Sequence, residues 1–183
     1  MKHLLAIGAI LLAMVGLAAG CGESPNHNGQ DALFAKDMVP HHQQAVTMSD
    51  LALTQTTNRQ VQDLAERIKT AQVSEISIMN GWLDAWGEST DHAGHAMAGK
   101  GMKGMVSAAD LRTLESANGA EFDRLYLQRM TSHHKGGLEM TKIELDEGKY
   151  QPAKELAREI TTNQEKEVAE MAKLLSAPAA SAP

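Results

Sequence analysis

The sequence contains two stretches of one pattern, MVPHHQQAVTM at residues 38–48 and MTSHHKGGLEM at residues 130–140. Each begins with a methionine, continues after two residues with a pair of histidines, and ends with a second methionine after five more. A shift of 92 positions superimposes the two stretches without gaps and aligns the residues that follow them. The aligned pairs include Leu64 with Leu156, Ile68 with Ile160, Gln72 with Gln164, Glu75 with Glu167 and Met79 with Met171. A fixed offset of this kind indicates a duplicated structural unit.

Each copy has the periodicity of two helices. In the first copy, one stripe of residues spaced by three and four runs from Phe34 to Ala52, and a second runs from Val61 to Trp86. This spacing is typical of helices that turn one face towards a core. One hairpin alone would leave that face in water. We therefore predict an all-α fold in which two duplicated helical hairpins close on each other as a four-helix bundle.

Capping residues predict where the helices begin and end. The first helix starts at about Asp31, Thr57 and Asn58 are candidate caps for the second, and Gly87 suits its end. A short extra helix follows Ser107, which forms a capping box with Asp110. The second copy is predicted to form helices over about Glu121–Glu147 and Pro152–Leu175, with Gly148 as the stop between them.

The N-terminus has the features of an export signal. A short basic start precedes an apolar stretch from Leu4 to Leu17, and small residues precede Cys21. The sequence LAAGC resembles a bacterial lipobox, in which the cysteine receives a lipid; the alternative is a plain signal cut nearby. The predicted segments are a signal peptide at 1–20, a lipidated N-terminus and tether at 21–32, the bundle at 33–176 with a Met/His/Gly-rich linker at 88–106, and a disordered tail at 177–183.

Composition narrows the classes of function. The chain has 183 residues, 17 basic and 23 acidic side chains and a net charge of −6, so no nucleic-acid surface is expected. A single cysteine excludes an internal disulfide, so stability must come from a packed core. The notable excess is in eleven methionines and eight histidines.

The repeated stretches supply candidate metal ligands. On a helix, side chains three or four residues apart lie about 5 to 6 Å apart at Cβ, so the methionines and histidines of each stretch border one face. Thioether sulfur suits Cu(I) or Ag(I), and imidazole accepts either oxidation state of copper, so Cu(I) is favoured over Cu(II). The candidate ligands are Met38, His41, His42, Met48, Met130, His133, His134 and Met140.

Further residues have candidate supporting roles. Glu75 and Glu167, with Gln72 and Gln164, are placed to accept a histidine N–H and so orient the ring; the alternative is a helix-interface hydrogen bond with no ion. Candidate auxiliary metal-binding residues are Met79, Met171, His92, His95, Met97, Met102 and Met105. The alternatives are that Met79 and Met171 are core packing and that the linker residues carry no metal.

At these residues the chain resembles the ferritin-like family named domain of unknown function 305. The similarity lies in the two repeated stretches, in LAERI and LAREI, in the runs Gln72–Ile76 and Gln164–Met171, and in Phe122-Asp123. It covers about Phe34 to Leu175. The resemblance implies a helical bundle and an exported location, and some relatives are periplasmic copper-binding proteins that help cells tolerate copper.

Several functions compete. The sequence favours an exported, lipid-anchored, non-enzymatic protein of the periplasm or cell surface that sequesters Cu(I) or Ag(I) or passes the ion to a copper-handling partner. A di-iron or di-manganese oxidase would need Glu-x-x-His, which occurs nowhere in the chain. Haem held by His and Met, without an attachment cysteine pair, and a partner-binding bundle without metal are the remaining alternatives.

Overall fold

The computed structural model describes residues 26–88 and 102–177, and these are all-helical apart from short connections. The helices are α1 (Gly29–Gln55), α2 (Arg59–Trp86), α3 (Ala108–Ser116), α4 (Gly119–Glu147) and α5 (Gln151–Ser176). The predicted all-α bundle with a short extra helix is confirmed. Several predictions lie outside the described residues: the signal peptide, lipidation at Cys21, the auxiliary ligands His92, His95 and Met97, and the tail beyond 177.

Side-chain caps place the helix ends close to the predicted positions. Asn58 caps α2, Ser107 caps α3, and Gly87 ends α2 in the left-handed region with φ of +67°. The helix α1 begins at Gly29, earlier than predicted, because Asn28 forms a reciprocal capping box with Asp31. Part of the predicted tether therefore belongs to the first turn of α1.

The chain packs as two antiparallel hairpins. Helix α1 lies along α2, α4 lies along α5, and the hairpins meet mainly through α1 and α4. The apolar core has two parts. We call them the α3-side cluster, which includes Leu114 of α3, and the Trp-side cluster, against which Trp82 and Trp86 pack.

A polar layer separates the two apolar clusters along the bundle axis. On α1, Phe34 and Met38 belong to the Trp-side cluster, His41 and His42 follow, and Ala45 and Met48 belong to the α3-side cluster. The other three long helices pass through the same sequence of layers. The polar layer consists of His41, His42, Gln72, Glu75, His133, His134, Gln164 and Glu167. Glu167 is half-buried, and the other seven residues are at most 8% exposed.

Among residues 26–88 and 102–177, none of the helices combines the length and the hydropathy of a membrane span.

Candidate metal centre

The polar layer has the symmetry of the sequence repeat. His42 Nε2 lies 2.7 Å from Glu75 Oε2, and His134 Nε2 lies 2.7 Å from Glu167 Oε2. Each glutamate is on the helix that pairs with the helix of its histidine. The predicted contact between histidine and glutamate is therefore present in both copies.

The other two histidines meet across the hairpin interface. The rings of His41 on α1 and His133 on α4 stack with centroids 3.7 Å apart and planes inclined by 27°. Both residues are fully buried. The stacked pair therefore lies where the two copies join, so that neither hairpin contains it alone.

Burial keeps these imidazoles neutral. Burial, aided by the neighbouring His42 and His134 rings, lowers the pKa of His41 to about 3. Burial likewise lowers the pKa of His42 to about 3 and that of His133 well below its usual value. Burial, and then the charge of Glu167, raises the pKa of Glu75 to about 7. A neutral imidazole keeps one nitrogen lone pair, which is the form that binds metals.

Many polar atoms of the layer have no hydrogen-bond partner. These are both ring nitrogens of His41 and of His133, Nδ1 of His42 and of His134, and the side-chain amides of Gln72 and Gln164. Buried polar groups cost free energy unless they are satisfied, so such a concentration calls for a ligand or water. Where a histidine donates its Nε2 hydrogen to a carboxylate, its Nδ1 lone pair is directed elsewhere and is available to an ion.

In the structure, the two methionines of each repeated stretch lie apart from each other. Met38 and Met48 are ten residues apart, which is about 15 Å along a helix, so they cannot bind one ion together. Each instead packs with methionines of other helices. Met48, Met130 and Met171 are in the α3-side cluster; Met38 and Met79 are in the Trp-side cluster, with Met140 packed against it.

This arrangement changes the ranking of the candidate ligands. Met79 lies four residues after Glu75 and Met171 four after Glu167, so each is one turn from the polar layer. Met48 lies six residues from His42, and Met140 lies six residues from His134, or about 9 Å along the helix axis. The sequence ranked Met79 and Met171 as auxiliary, although their one-turn spacing from the glutamates was a signal for a closer role.

The chemistry of the donors fits a soft ion better than a hard one. Among the described residues, no three side chains of the His, Cys, Asp or Glu type are arranged to hold a metal. Structural zinc needs four such ligands, and calcium needs six or more oxygens. The described layer offers neutral imidazoles with buried thioethers one turn away on each side, and soft thioether sulfur with imidazole is a donor set that suits Cu(I).

The fold and the polar layer together define the class of protein. It is a four-helix bundle of two duplicated hairpins, with a buried layer of histidines between two apolar clusters that contain methionines. Residues 31–175 match the family described as "Domain of unknown function (DUF305)". The chain belongs to this family. No curated protein matches it.

Solved structures with the same fold include three relevant relatives. A DUF305 protein of Streptomyces coelicolor is 38% identical, with a TM-score of 0.75 over 80% of this chain and 91% of that one. A DUF305 fragment of Deinococcus radiodurans is 30% identical, with a TM-score of 0.72 over 82% and 98%. CopM in its Cu(II)-bound form is 26% identical, with a TM-score of 0.70 over 79% and 95%. CopM has also been solved in Cu(I)-bound and Ag-bound forms.

Proposed function

We propose that this protein binds a soft metal ion, Cu(I) or Ag(I), in the polar layer, and that its role is to sequester the ion or pass it on rather than to catalyse a reaction. One observation carries the proposal: neutral, fully buried histidines whose ring nitrogens have no partner, next to buried methionines. The Cu(I)-, Cu(II)- and Ag-bound forms of CopM, which has the same fold, support copper or silver as the ion, and the preference for Cu(I) rests on the buried thioethers.

The residues have distinct proposed roles. One ion takes at most two imidazoles: His41 with Nδ1 of His42, or His133 with Nδ1 of His134, supplies the nitrogen ligands. Met38 and Met79 on one side of the layer, and Met130 and Met171 on the other, supply sulfur. Glu75 and Glu167 orient His42 and His134 through the 2.7 Å contacts. When bound, the ion satisfies ring nitrogens that otherwise have no partner.

The proposed cellular setting comes from the N-terminal sequence. A basic start, an apolar stretch and LAAGC at residues 17–21 support export and lipid attachment at Cys21. In an oxidising compartment free thiols are not dependable ligands, and thioether with imidazole is the workable alternative. We therefore place the protein at the outer face of a membrane, where it handles copper for a partner protein.

The test is a competition titration of the bundle, under anaerobic reducing conditions, against a Cu(I)-specific chelator dye. The key variant changes Met38 and Met130 to Leu, which removes two sulfurs at nearly constant volume and costs less than about 1.5 kcal/mol per site. We expect its Cu(I) affinity to fall by at least the roughly tenfold that loss of an outer-shell partner costs, because two direct sulfur ligands are removed. A matched control changes the equivalent pair Ile68 and Ile160 to Leu, in the same core but without loss of sulfur, and should leave affinity unchanged.

A second variant tests the nitrogen ligands. Changing His41, His42, His133 and His134 to Ala should abolish the competition for Cu(I). If the wild-type protein binds Cu(I) no more tightly than this variant, the proposal is wrong. Tighter binding of Zn(II) than of Cu(I) would contradict the choice of a soft ion.

A further inference from the structure

A short turn in the connection between α2 and α3 lies against the histidine layer. In residues 102–105, the Met105 N–H donates to the Met102 carbonyl at 3.2 Å, and Gly104 has φ of +82°. A positive φ at the third position defines a type II turn, for which glycine is the preferred residue. The turn is followed by Val106, which is 8% exposed and belongs to the α3-side cluster.

The turn fits α4 backbone to backbone. A Cβ atom at Gly104 would lie 2.7 Å from the His133 carbonyl oxygen and 2.9 Å from Gly136 Cα. A Cβ atom at Gly136 would overlap the Lys103 carbonyl group. Two glycines facing each other therefore allow an approach that no other residue pair would permit.

Side-chain contacts hold the turn against α1 and α4. The Gln44 amide of α1 accepts from Val106 N–H at 2.7 Å and donates to the Val106 carbonyl at 3.0 Å. Lys103 forms an ion pair with Glu139 of α4. The segment thus bridges the two helices that carry the stacked histidines.

The same segment adjoins that histidine pair. The Lys103 carbonyl faces the His41 ring closely enough to oppose the lowering of its pKa, yet makes no hydrogen bond of normal geometry with either ring nitrogen. Gly104 touches the backbone of Ser132 and His133. His41 and His133, one on each of the two helices that the segment bridges, are fully buried.

The repeat identifies the docking positions as specialised. Gln44 and Gly136 are equivalent under the shift of 92, yet one has an amide that clamps the segment and the other has no side chain. Their contacts with the segment are complementary: the amide holds Val106, and the missing side chain admits Lys103 and Gly104. The two copies therefore differ at the position that contacts residues 103–106, where α1 supplies a hydrogen-bonding amide and α4 leaves space for the backbone.

We propose that residues 102–106 form a strap that controls access to the His41–His133 pair and hence the exchange of a soft ion there. The part that concerns the ion rests on the proposed function, whereas access to the histidines does not. Met102 and Met105 give the strap two half-buried thioethers, so the element that a soft ion must pass has ligands of matching softness.

The first test needs no metal. The metal-free protein is treated with diethylpyrocarbonate, which modifies neutral histidines, and the rate at each histidine is followed by mass spectrometry. Gly136→Ala places a methyl group where the Lys103 carbonyl lies and so dislodges the strap. We expect modification of His41 and His133 to accelerate by about tenfold or more, since it then requires no local opening.

The matched control is Gly81→Ala on α2, where a Cβ atom meets nothing within 4 Å. It makes the same change in a helix and should leave every rate unchanged. Unchanged rates in Gly136→Ala, or an equal increase at His42 and His134, would overturn the proposal, because the latter indicates general loosening. If Gly136→Ala does not fold, the fallback variant is Gln44→Ala, which removes only the hydrogen bonds to Val106. It should give a smaller increase in the modification rates of His41 and His133. No increase at these two histidines would overturn the proposal.

The second test follows transfer of Ag(I) from the loaded protein to a competing thiol ligand. Gly136→Ala should release Ag(I) faster than the wild type and than Gly81→Ala, and equal release rates would contradict a role in ion exchange. If the wild type takes up no Ag(I), the proposed function fails, but the modification rates of the metal-free protein still decide whether the strap controls access.

Discussion

The two hairpins are alike at the centre of the bundle and different at its ends. Both histidine–glutamate contacts measure 2.7 Å, and every residue of the polar layer has an identical counterpart in the other hairpin. Outside the layer, Ala52 corresponds to Glu144, Thr56 to Gly148, and Gln44 to Gly136. The polar layer needs both copies because His41 stacks on His133 across the interface. The ends need only to pack, and they have diverged.

The divergence gives the ends different means of stabilisation. The α3-side cluster gains Leu114 and Val106 from outside the four long helices, with Phe122 and Tyr126 stacked 6.1 Å apart within it. At the opposite end, Asp31 Oδ1 accepts from Lys149 N–H and Tyr150 N–H and so ties α1 to the connection between α4 and α5. One end is held chiefly by apolar burial and the other partly by a buried carboxyl group.

The largest effect is expected from equivalent leucines of the two clusters. Leu64→Ala, fully buried in the α3-side cluster, should lower the free energy of unfolding by about 4 kcal/mol, and Leu156→Ala by about 2 kcal/mol, within the range for buried leucines. The smaller cluster, with Leu156 slightly exposed, collapses more easily around the lost side chain. Urea unfolding of the metal-free variants measures both values. Equal losses would mean that the ends are energetically alike.

A pH-dependent effect is expected from Glu144, which has no counterpart in the first hairpin. Burial and the neighbouring Asp31 raise the pKa of Glu144 to about 8. A group whose pKa is raised on folding binds its proton more tightly in the native state, so stability falls as pH rises from about 4.5 to 8. Glu144→Gln should therefore lose less stability than the wild type between pH 6 and pH 9, as measured by urea unfolding at each pH.

The control for this effect is Glu147→Gln, at the exposed end of the same helix, which should keep the wild-type pH dependence. The physical basis is a shared proton: a protonated Glu144 can donate to Asp31, and its carboxyl oxygens make no other hydrogen bond of normal geometry, although the Gln30 side chain lies close enough to lower its pKa slightly. An unchanged slope in Glu144→Gln would contradict this account.

The smallest effect is expected at Gly137, whose counterpart is Ala45. A Cβ atom there would lie 2.6 Å from Gln164 Oε1, the far end of a side chain that can move. Alanine favours a helix over glycine by about 0.5 to 1 kcal/mol, which offsets the cost of that movement. Gly137→Ala should change the melting temperature by no more than a few degrees, like Gly81→Ala. A much larger loss would show that Gln164 is held in place.

Much of the fold could be predicted from the sequence because it depends on local signals. Periodicity located the four long helices, and candidate caps indicated where α2 and the short α3 begin. Gly148 was correctly predicted as the stop after α4, but for a different reason: its φ is −68°, and a side chain there would overlap Glu144. A close approach between residues is not visible in a pattern of residue types.

The sequence predicted which residue types the candidate site contains, but not which of those residues lie together. The histidines and glutamates were identified and a contact between them was predicted, but the sequence did not show that His42 and His134, rather than His41 and His133, make it. The two methionines of one stretch were expected to border one ion, whereas they pack in opposite clusters. The helical rise of 1.5 Å per residue could have excluded that grouping, but not identified the partners on other helices. Residues 102–106 were interpreted as part of a linker, and their contact with α4 had no periodic signal.

The sequence by itself determined the duplication, the helices and the kinds of donor atoms, because these depend on residue type and on spacing within one chain segment. Only the tertiary structure decided that His41 meets His133, that methionines of different helices share a cluster, and that residues 102–106 lie against the histidine pair. Such contacts join residues distant in sequence, and their geometry depends on how the helices pack rather than on any local preference.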